Sequence, residues 1–151
     1  REVFIGHVAK YNPLSSFDGQ SVKLLFSGDD CYLSPAYAHN KTLPSWLYSS
    51  VYVTAKVRIV KDQQHKEQIM QRLTDHLEQH FTEHATDKWQ INEVPVQHRH
   101  VMYQQLSFIE FIPSHWCGNF KLSQNKPAEI RAAIKQSLML AGKLSIAELI
   151  N

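Results

Sequence analysis

The segment from about Leu47 to Val60 is the feature that most constrains how this chain can fold. Apolar side chains recur there at every second position, with polar or aromatic side chains between them, in the order Val51, Tyr52, Val53, Thr54, Ala55, Lys56, Val57, Arg58 and Ile59. Because successive strand residues point to opposite faces, the pattern predicts one long strand with a single face in the core. Such length and alternation are typical of a barrel strand.

Shorter patterns predict the remaining elements. Strands are predicted at Val3–Val8, Ser21–Phe26, Cys31–Leu33, Leu106–Ile112 and Phe120–Leu122, with Ser27–Asp30 as a turn and residues 34–44 as an irregular loop. A short helix is predicted to begin at Asn12-Pro13, a long one runs from the cap Asp62 to about His84, and another short one runs from Val94-Pro95 to Tyr103. A further helix begins at Pro127 and is stopped by Gly142. The last helix begins at Ser145, where residues 145–148 form a capping box. This order predicts an α+β chain with a small antiparallel barrel that carries helices.

Residues 120–127 combine a strand end, a polar cluster and a proline that starts a helix. Within five residues the cluster offers an ammonium, a hydroxyl and two amides, from Lys121, Ser123, Gln124 and Asn125. Free backbone N–H groups and the helix dipole favour an anion at such a helix start, so an anion site is one interpretation. The alternative is that Asn125 or Lys126 caps the helix and the other residues form a solvated turn.

A similar arrangement occurs between Gly6 and Pro13. A strand ends, Lys10 follows, and Asn12-Pro13 starts a helix, which predicts a phosphate seat with Lys10 as the counter-charge. At the entrance of the long strand, Trp46 and Tyr48 either stack on a planar ligand or fill the barrel mouth.

The histidines do not predict a metal site. His76, His80 and His84 are spaced four residues apart, and the first two could share a metal from one helix face. No glutamate directly follows His76 or His80 as in the HExxH motif, and all three histidines flank the apolar stripe of the predicted helix. We therefore interpret them as partly exposed helix residues. No nucleophile elbow, Walker motif or Rossmann fingerprint is present, and no catalytic residue is predicted.

Composition narrows the class of protein. The 151 residues suit one domain, and 43% hydrophobic with 20% charged residues is an ordinary globular composition. No apolar run approaches the roughly 20 residues of a membrane span, so no membrane partner is expected. The two cysteines, Cys31 and Cys117, lack metal spacing, and a reducing cytoplasm is the default expectation. A net charge of +2 gives no support for nucleic-acid binding.

Taken together, these segments resemble the PaiB family, FMN-binding split-barrel proteins described as negative transcriptional regulators. The resemblance covers nearly the whole chain and rests, in order, on Gly6–Pro13, Tyr32–Pro35, Pro44–Trp46, Arg72–Asp75 and Lys121–Pro127. The last of these motifs is the most specific.

The resemblance implies a fold, a cofactor and an assembly. It implies one FMN-binding domain over residues 1–151, a six-stranded antiparallel split β-barrel with peripheral helices, and a homodimer with FMN at the subunit interface. Lys10 and Asn12 would hold the FMN phosphate and Trp46 would border the ring. Further polar contacts, in part from the facing subunit, would come from Lys121, Ser123, Gln124 and Asn125.

Three departures from the family pattern affect these expectations. The chain opens with Arg1-Glu2 directly before its first strand, so we expect an N-terminal segment of the domain to be missing. The loop between Pro35 and Pro44 is shorter than in the family. Leu47 replaces an asparagine that is common there, which removes one polar contact.

Two other classes of function stay open. Split-barrel relatives include pyridoxine-phosphate oxidases and flavin reductases, so a flavin-dependent oxidoreductase is the first alternative, since fold does not decide function. His7 lies on the first strand beside the predicted phosphate seat, and histidine is the side chain type suited to proton transfer near neutral pH. We interpret His7 as a hydrogen-bonded strand histidine. The second alternative is a flavin-free interaction domain. DNA contact is implied only by the family description.

Overall fold

In a computed structural model of the protein, residues 2–82 and 88–151 are described. They form the strands β1 (Phe4–Ala9), β2 (Ser21–Leu33), β3 (Ser45–Val60) and β4 (Leu106–Lys121), and the helices α1 (Gln63–Phe81), α2 (Val96–Tyr103), α3 (Ala128–Leu140) and α4 (Leu144–Glu148). Single 3₁₀ turns lie at Pro13–Ser16, Pro35–Ala38 and Ile91–Glu93. None of the described helices has the length and hydropathy needed to cross a bilayer.

The four strands form one antiparallel sheet in the order β1-β4-β3-β2. In the pairing of β1 with β4, Phe4 lies opposite Phe111 and Ala9 lies opposite Leu106. The predicted α+β class is confirmed. The described residues contain four strands where six were predicted, so the split barrel stays a prediction.

The predicted alternation of the long strand is confirmed on β3. Leu47, Val53, Ala55 and Val57 are almost fully buried, whereas Lys56 and other residues between them face outward. This is the arrangement expected of a strand with one face in the core.

The predicted turn at Ser27–Asp30 is wrong, because these residues continue the single strand β2. A Cβ atom built on Gly28 would collide with Ser49 Oγ on the neighbouring strand, so glycine here allows close approach of the strands. The aspartates bind other side chains: Asp29 accepts a hydrogen bond from Ser145 Oγ, and Asp30 accepts one from Trp46 Nε1 at 2.9 Å.

The predicted break between residues 112 and 120 is also wrong, because β4 runs without interruption through Pro113. Pairing with β1 ends at Phe111. Pro113, which has no N–H to donate, therefore lies beyond the paired part of that edge, where a proline is tolerated.

By its internal contacts the chain divides into two compact units, and the first consists of Arg1–Lys23 and Thr54–His115. Its core joins Val60, Ile69, Tyr103 and Phe108, and the rings of the last two meet edge to face at 5.2 Å. The carboxylate of Glu110 is also buried, and it contacts the Arg58 guanidinium and, at 3.1 Å, His65 Nε2.

Helix α1 begins as predicted, since the Asp62 carboxylate accepts the His65 N–H at 2.7 Å. Its apolar stripe is buried only in its first half: Ile69 is 1% exposed, whereas Leu77 and Phe81 are 52% and 77% exposed. The predicted helix end near His84 lies outside the described residues.

The second unit consists of Leu24–Val53 and Trp116–Asn151. Its core packs the apolar face of α3 (Ile130, Ile134 and Leu138) together with Leu33 and Leu47. Gly142 ends α3 as predicted. Its φ of 72° is left-handed, and the N–H groups of Gly142 and Lys143 bond the carbonyls of Met139 and Leu138, as in a Schellman motif.

The final helix, α4, begins two residues earlier than predicted and has no capping box. Lys143 is its N-cap residue and makes no side-chain capping bond. Ser145, the predicted cap, donates its hydroxyl to Asp29 instead. A tertiary partner has therefore replaced the local hydrogen bond that the sequence suggested.

Candidate ligand-binding site

The second unit contains a pocket of about 500 Å³, which lies between the end of β4 and the start of β3. Its polar lining includes four of the seven site residues predicted from the sequence: Lys121, Ser123, Gln124 and Asn125. The remaining lining residues are Leu33, Thr42, Leu43, Pro44, Ser45, Leu47, Phe120 and Lys126. This volume lies in the range of small-molecule sites.

The polar wall of the pocket is a tight turn that the Gln124 side chain holds closed. Gln124 Oε1 accepts the Leu122 N–H at 2.8 Å, and Gln124 Nε2 donates to the Phe120 carbonyl at 2.7 Å. Ser123 has a left-handed φ of 62°, and its carbonyl accepts the Lys126 N–H at 2.9 Å. The amide of Gln124 is thus occupied by the turn, which positions the side chains of Ser123 and its neighbours.

The interpretation in which Asn125 or Lys126 caps the following helix is wrong. The N-cap residue of α3 is Pro127, and no side chain caps this helix. Instead the Arg131 guanidinium reaches back and donates to the Lys126 carbonyl at 2.7 Å. The Asn125 amide makes no hydrogen bond to any other described residue, so it is available to a ligand.

The opposite wall is the segment from Thr42 to Leu47, which the sequence had not indicated as a whole. Thr42 Oγ1 is buried without a hydrogen-bond partner among the described residues. Buried hydroxyls usually have a partner, so this atom marks a place where a ligand atom or water would be accommodated. Nothing in the local sequence of Thr42, two residues before Pro44 in the loop predicted as irregular, indicated this position.

Trp46 lies on the opposite face of β3 from Ser45 and Leu47, which line the pocket. Its indole donates to Asp30 at 2.9 Å, and its ring lies 6.4 Å from that of Tyr32. Half of Trp46 is exposed. The two aromatic side chains therefore form an exposed pair on the surface of the second unit.

Lys10 and Asn12 belong to the first unit. Asn12 starts the Pro13–Ser16 turn as predicted, and Asn12 Oδ1 accepts the Leu14 N–H at 2.9 Å. The backbone N–H of Lys10 donates to the Gln105 carbonyl at 2.9 Å, and the residue is exposed. The helix start thus offers fewer free N–H groups than the sequence suggested. Pro13 has no N–H group, and the N–H of Leu14 is already bonded to the Asn12 side chain.

The described histidines form no metal site. The rings of His76 and His80 lie 4.1 Å apart, but His80 Nδ1 pairs with the His76 carbonyl, and no group of ligands suited to a metal is found among the described residues. His84, the third histidine of the series, lies outside them. His7 lies against the Phe108 ring at 5.9 Å.

The cysteines differ in their surroundings. Cys31 is buried in the core of the second unit, and burial raises the pKa of its thiol, an effect that the nearby Lys143 ammonium partly offsets. Cys117 is exposed. Cys31 is therefore a packing residue with little thiolate at neutral pH.

Comparison with known proteins identifies the family. Residues 1–112 match the model of the family described as "Putative FMN-binding domain", and the chain therefore belongs to this family, whose cofactor is FMN. Lys10, Asn12 and Trp46 lie inside the matched region, whereas the turn at 120–126 lies beyond it. No curated protein matches the chain.

One solved structure supports the fold. It is that of a "putative 5-nitroimidazole antibiotic resistance protein" from Bacteroides thetaiotaomicron VPI-5482, with a TM-score of 0.51 and 14% sequence identity. The similarity covers 78% of this chain and 61% of the other, so the present chain spans less than two thirds of that protein.

Proposed function

We propose that this member of the FMN-binding domain family is a PaiB-like negative transcriptional regulator that holds FMN in the pocket of its second unit. The observation that carries the proposal is the convergence of Lys121, Ser123 and Asn125 on that pocket. The proposal includes a single FMN-binding domain, a six-stranded split barrel and a cytoplasmic location.

The chemistry of the lining fits FMN. The flavin has an apolar benzenoid edge, polar ring atoms, a ribityl chain with hydroxyls, and a phosphate. Leu33, Leu43 and Leu47 provide apolar contact, and the buried Thr42 hydroxyl lacks a partner. Ammonium, hydroxyl and amide groups line the other wall, as an anionic and hydroxylated ligand requires.

Each lining residue has a distinct role in this proposal. Lys121, Ser123 and Asn125 donate hydrogen bonds to the cofactor, while Gln124 keeps the turn in the shape that presents them. Bound FMN supplies the capacity to accept and release electrons. These side chains bind and orient it, and an ammonium, a hydroxyl and an amide are poor proton-transfer groups near neutral pH. This donor set favours a binding role over an enzymatic one.

The remaining predicted residues enter through a proposed homodimer with FMN at the interface. In it, Lys10 and Asn12 hold the phosphate and Trp46 borders the ring, with one group of contacts supplied by the facing subunit. The surface of the second unit supports association, because several large apolar side chains are about half exposed: Leu25, Phe26, Tyr32, Trp46, Trp116 and Phe120. Exposed apolar surface of this kind is typical of interaction sites.

The test uses FMN and riboflavin, which differ only in the phosphate. Lys10→Ala should weaken FMN about ten- to a hundredfold, the value of a charge-assisted contact, and leave riboflavin unchanged. Lys121→Ala should weaken FMN, whereas Lys23→Ala, which removes an exposed charge elsewhere, should not. Unchanged FMN affinity in both Lys10→Ala and Lys121→Ala would refute the proposed site.

The regulator and the oxidoreductase are separated by turnover. We expect slow NAD(P)H oxidation by the FMN-loaded protein and FMN-dependent binding to operator DNA. Fast turnover that is lost in His7→Gln, while FMN stays bound, would establish the enzyme and remove the regulator proposal.

A further inference from the structure

The first unit contains a second cleft, of about 640 Å³, formed by one side of α1 and one side of α2. Its polar lining comes from Glu67, Gln68, Gln71, Arg72, Arg99 and His100, and its apolar lining comes from Ile91 and Val96. None of these residues lines the pocket proposed for FMN. The volume again lies within the range of small-molecule sites.

Helix periodicity explains why these side chains converge. Gln68 and Arg72 are four residues apart on α1, and Val96, Arg99 and His100 lie at i, i+3 and i+4 on α2, so each set shares one helix face. The buried Ile69 occupies a different face of α1, in the core. The side of α1 that carries Gln68 and Arg72 is therefore polar by sequence and lies outside the core.

Arg99 holds the floor of the cleft in place. Its Nη1 donates to the carbonyls of Val94 at 2.7 Å and Ile91 at 3.2 Å, and its Nε lies 3.2 Å from Glu67 Oε2. The Tyr103 hydroxyl donates to the same Glu67 oxygen at 3.3 Å. These bonds fix the segment that carries Ile91, so the cleft is preorganised.

One unsatisfied atom distinguishes this cleft from an ordinary surface groove. Two of the three buried side-chain polar atoms that lack a hydrogen-bond partner among the described residues are Glu67 Oε1 and Arg99 Nε. Arg99 Nε still has its ion-pair partner, Glu67 Oε2, at 3.2 Å, so Glu67 Oε1 is the atom left without a close partner. His100 Nε2 lies 3.5 Å from Glu67 Oε1, just outside hydrogen-bond geometry. A small movement of His100 would satisfy this oxygen, and a ligand that contacts His100 would favour that movement.

The charges at the cleft do not cancel. Glu67 and Arg99 neutralise each other within the floor. Arg72 is exposed and has no charged partner among residues 2–82 and 88–151, so it leaves a free guanidinium at the cleft, one helical turn from the Gln68 amide. Gln71 already donates its amide to Asp75 at 2.7 Å. A planar guanidinium beside an amide donor matches a carboxylate.

We propose that this cleft binds a small organic carboxylate with an apolar body. The Arg72 guanidinium and the Gln68 amide hold the carboxylate, and Ile91 and Val96 cover the apolar part. His100, oriented toward Glu67, contributes a further polar contact. Such a site gives the flavoprotein a place for a substrate or an effector that is independent of the residues proposed to hold FMN.

The probe is sodium benzoate, compared with benzamide as its uncharged analogue, added to the full chain labelled with ¹⁵N. Benzoate should cause saturable shifts at the backbone amides of Gln68, Arg72, Ile91, Val96 and His100. Arg72→Gln should weaken benzoate at least about tenfold and leave the weaker benzamide unchanged. Because Arg72 is exposed, the variant should retain the dispersed spectrum of a folded protein.

Two further variants distinguish specific binding at this cleft from a general effect of protein charge and from a folding defect. Lys56→Gln removes one exposed charge elsewhere in the first unit and should leave benzoate binding unchanged. Val96→Ser, at a residue 53% exposed, removes apolar contact without adding a charge and should weaken benzoate and benzamide alike. The proposal is overturned if benzoate gives no saturable shifts, or if Arg72→Gln and Lys56→Gln weaken it equally. An FMN titration of Arg72→Gln should match the wild type, so this outcome is independent of the flavin proposal.

Discussion

The side chain of Gln124 should stabilise the fold even when no cofactor is bound. Gln124→Ala removes the acceptor of the Leu122 N–H and the donor to the Phe120 carbonyl. Leu122 is 5% exposed, so water cannot easily replace the first bond, and an unsatisfied buried N–H costs about 1–3 kcal/mol. Phe120 is 47% exposed, so water can replace the second bond at little cost.

We therefore expect Gln124→Ala to lower the free energy of unfolding of the FMN-free protein by about 2 kcal/mol. In a domain of this size such a loss corresponds to a decrease in Tm of about 4–8 °C. Gln124→Glu keeps an acceptor for the Leu122 N–H and should cost less. Asn125→Ala, at an exposed neighbour without a bond to another described residue, should change stability by less than about 0.5 kcal/mol.

Urea denaturation of the FMN-free variants measures these differences, and titration with FMN measures the affinity of each. Gln124→Ala should lose both stability and FMN affinity, because the turn that presents Ser123 is no longer held. Asn125→Ala should lose FMN affinity alone. If Gln124→Ala has wild-type stability without FMN and only its affinity falls, then Gln124 is a direct ligand and its role in the turn is wrong.

Two further predictions concern packing and pH. Gly28→Ala should destabilise the protein by about 1–3 kcal/mol, because the new Cβ atom meets Ser49 Oγ. Adding Ser49→Ala to this variant should restore most of the lost stability. If urea denaturation shows no such rescue, the close approach of the two strands is contradicted. Burial and the adjacent Glu67 carboxylate raise the pKa of Tyr103 to about 12. This shift stabilises the folded state by at most about 2–3 kcal/mol. The contribution is complete below pH 10 and is lost as the pH rises through 12. Tyr103→Phe should lack this component of alkaline unfolding, and parallel curves for both proteins would refute the assignment.

Local patterns predicted the elements whose structure depends on their own residues. The alternation along β3 and the glycine that ends α3 were both visible in the sequence, because strand periodicity and a left-handed φ are local properties. The predictions failed where a residue distant in the sequence determines the local conformation. Gly28 and the two aspartates after it have turn chemistry, yet Ser49, Trp46 and Ser145 hold them in a strand.

In the candidate site, too, local features could be predicted from the sequence and features that depend on distant residues could not. The polar cluster after β4 could be predicted, because four donors and acceptors within five residues are visible without a structure. The role of Gln124 could not, since either a ligand or the backbone could occupy its amide. Thr42 carried no local signal, because its significance comes from being buried opposite that cluster.

The position of β2 at one end of the described sheet restricts how two copies of this chain can associate. An outer strand has unpaired backbone groups and can pair with the same strand of another molecule, which is a route to aggregation. Asp29 and Asp30 lie next to each other on this strand, and both are exposed. Antiparallel pairing of two copies about this point would place an aspartate of each copy directly opposite an aspartate of the other on both faces of the sheet, which is destabilising. These aspartates therefore disfavour edge-to-edge growth of the sheet from β2.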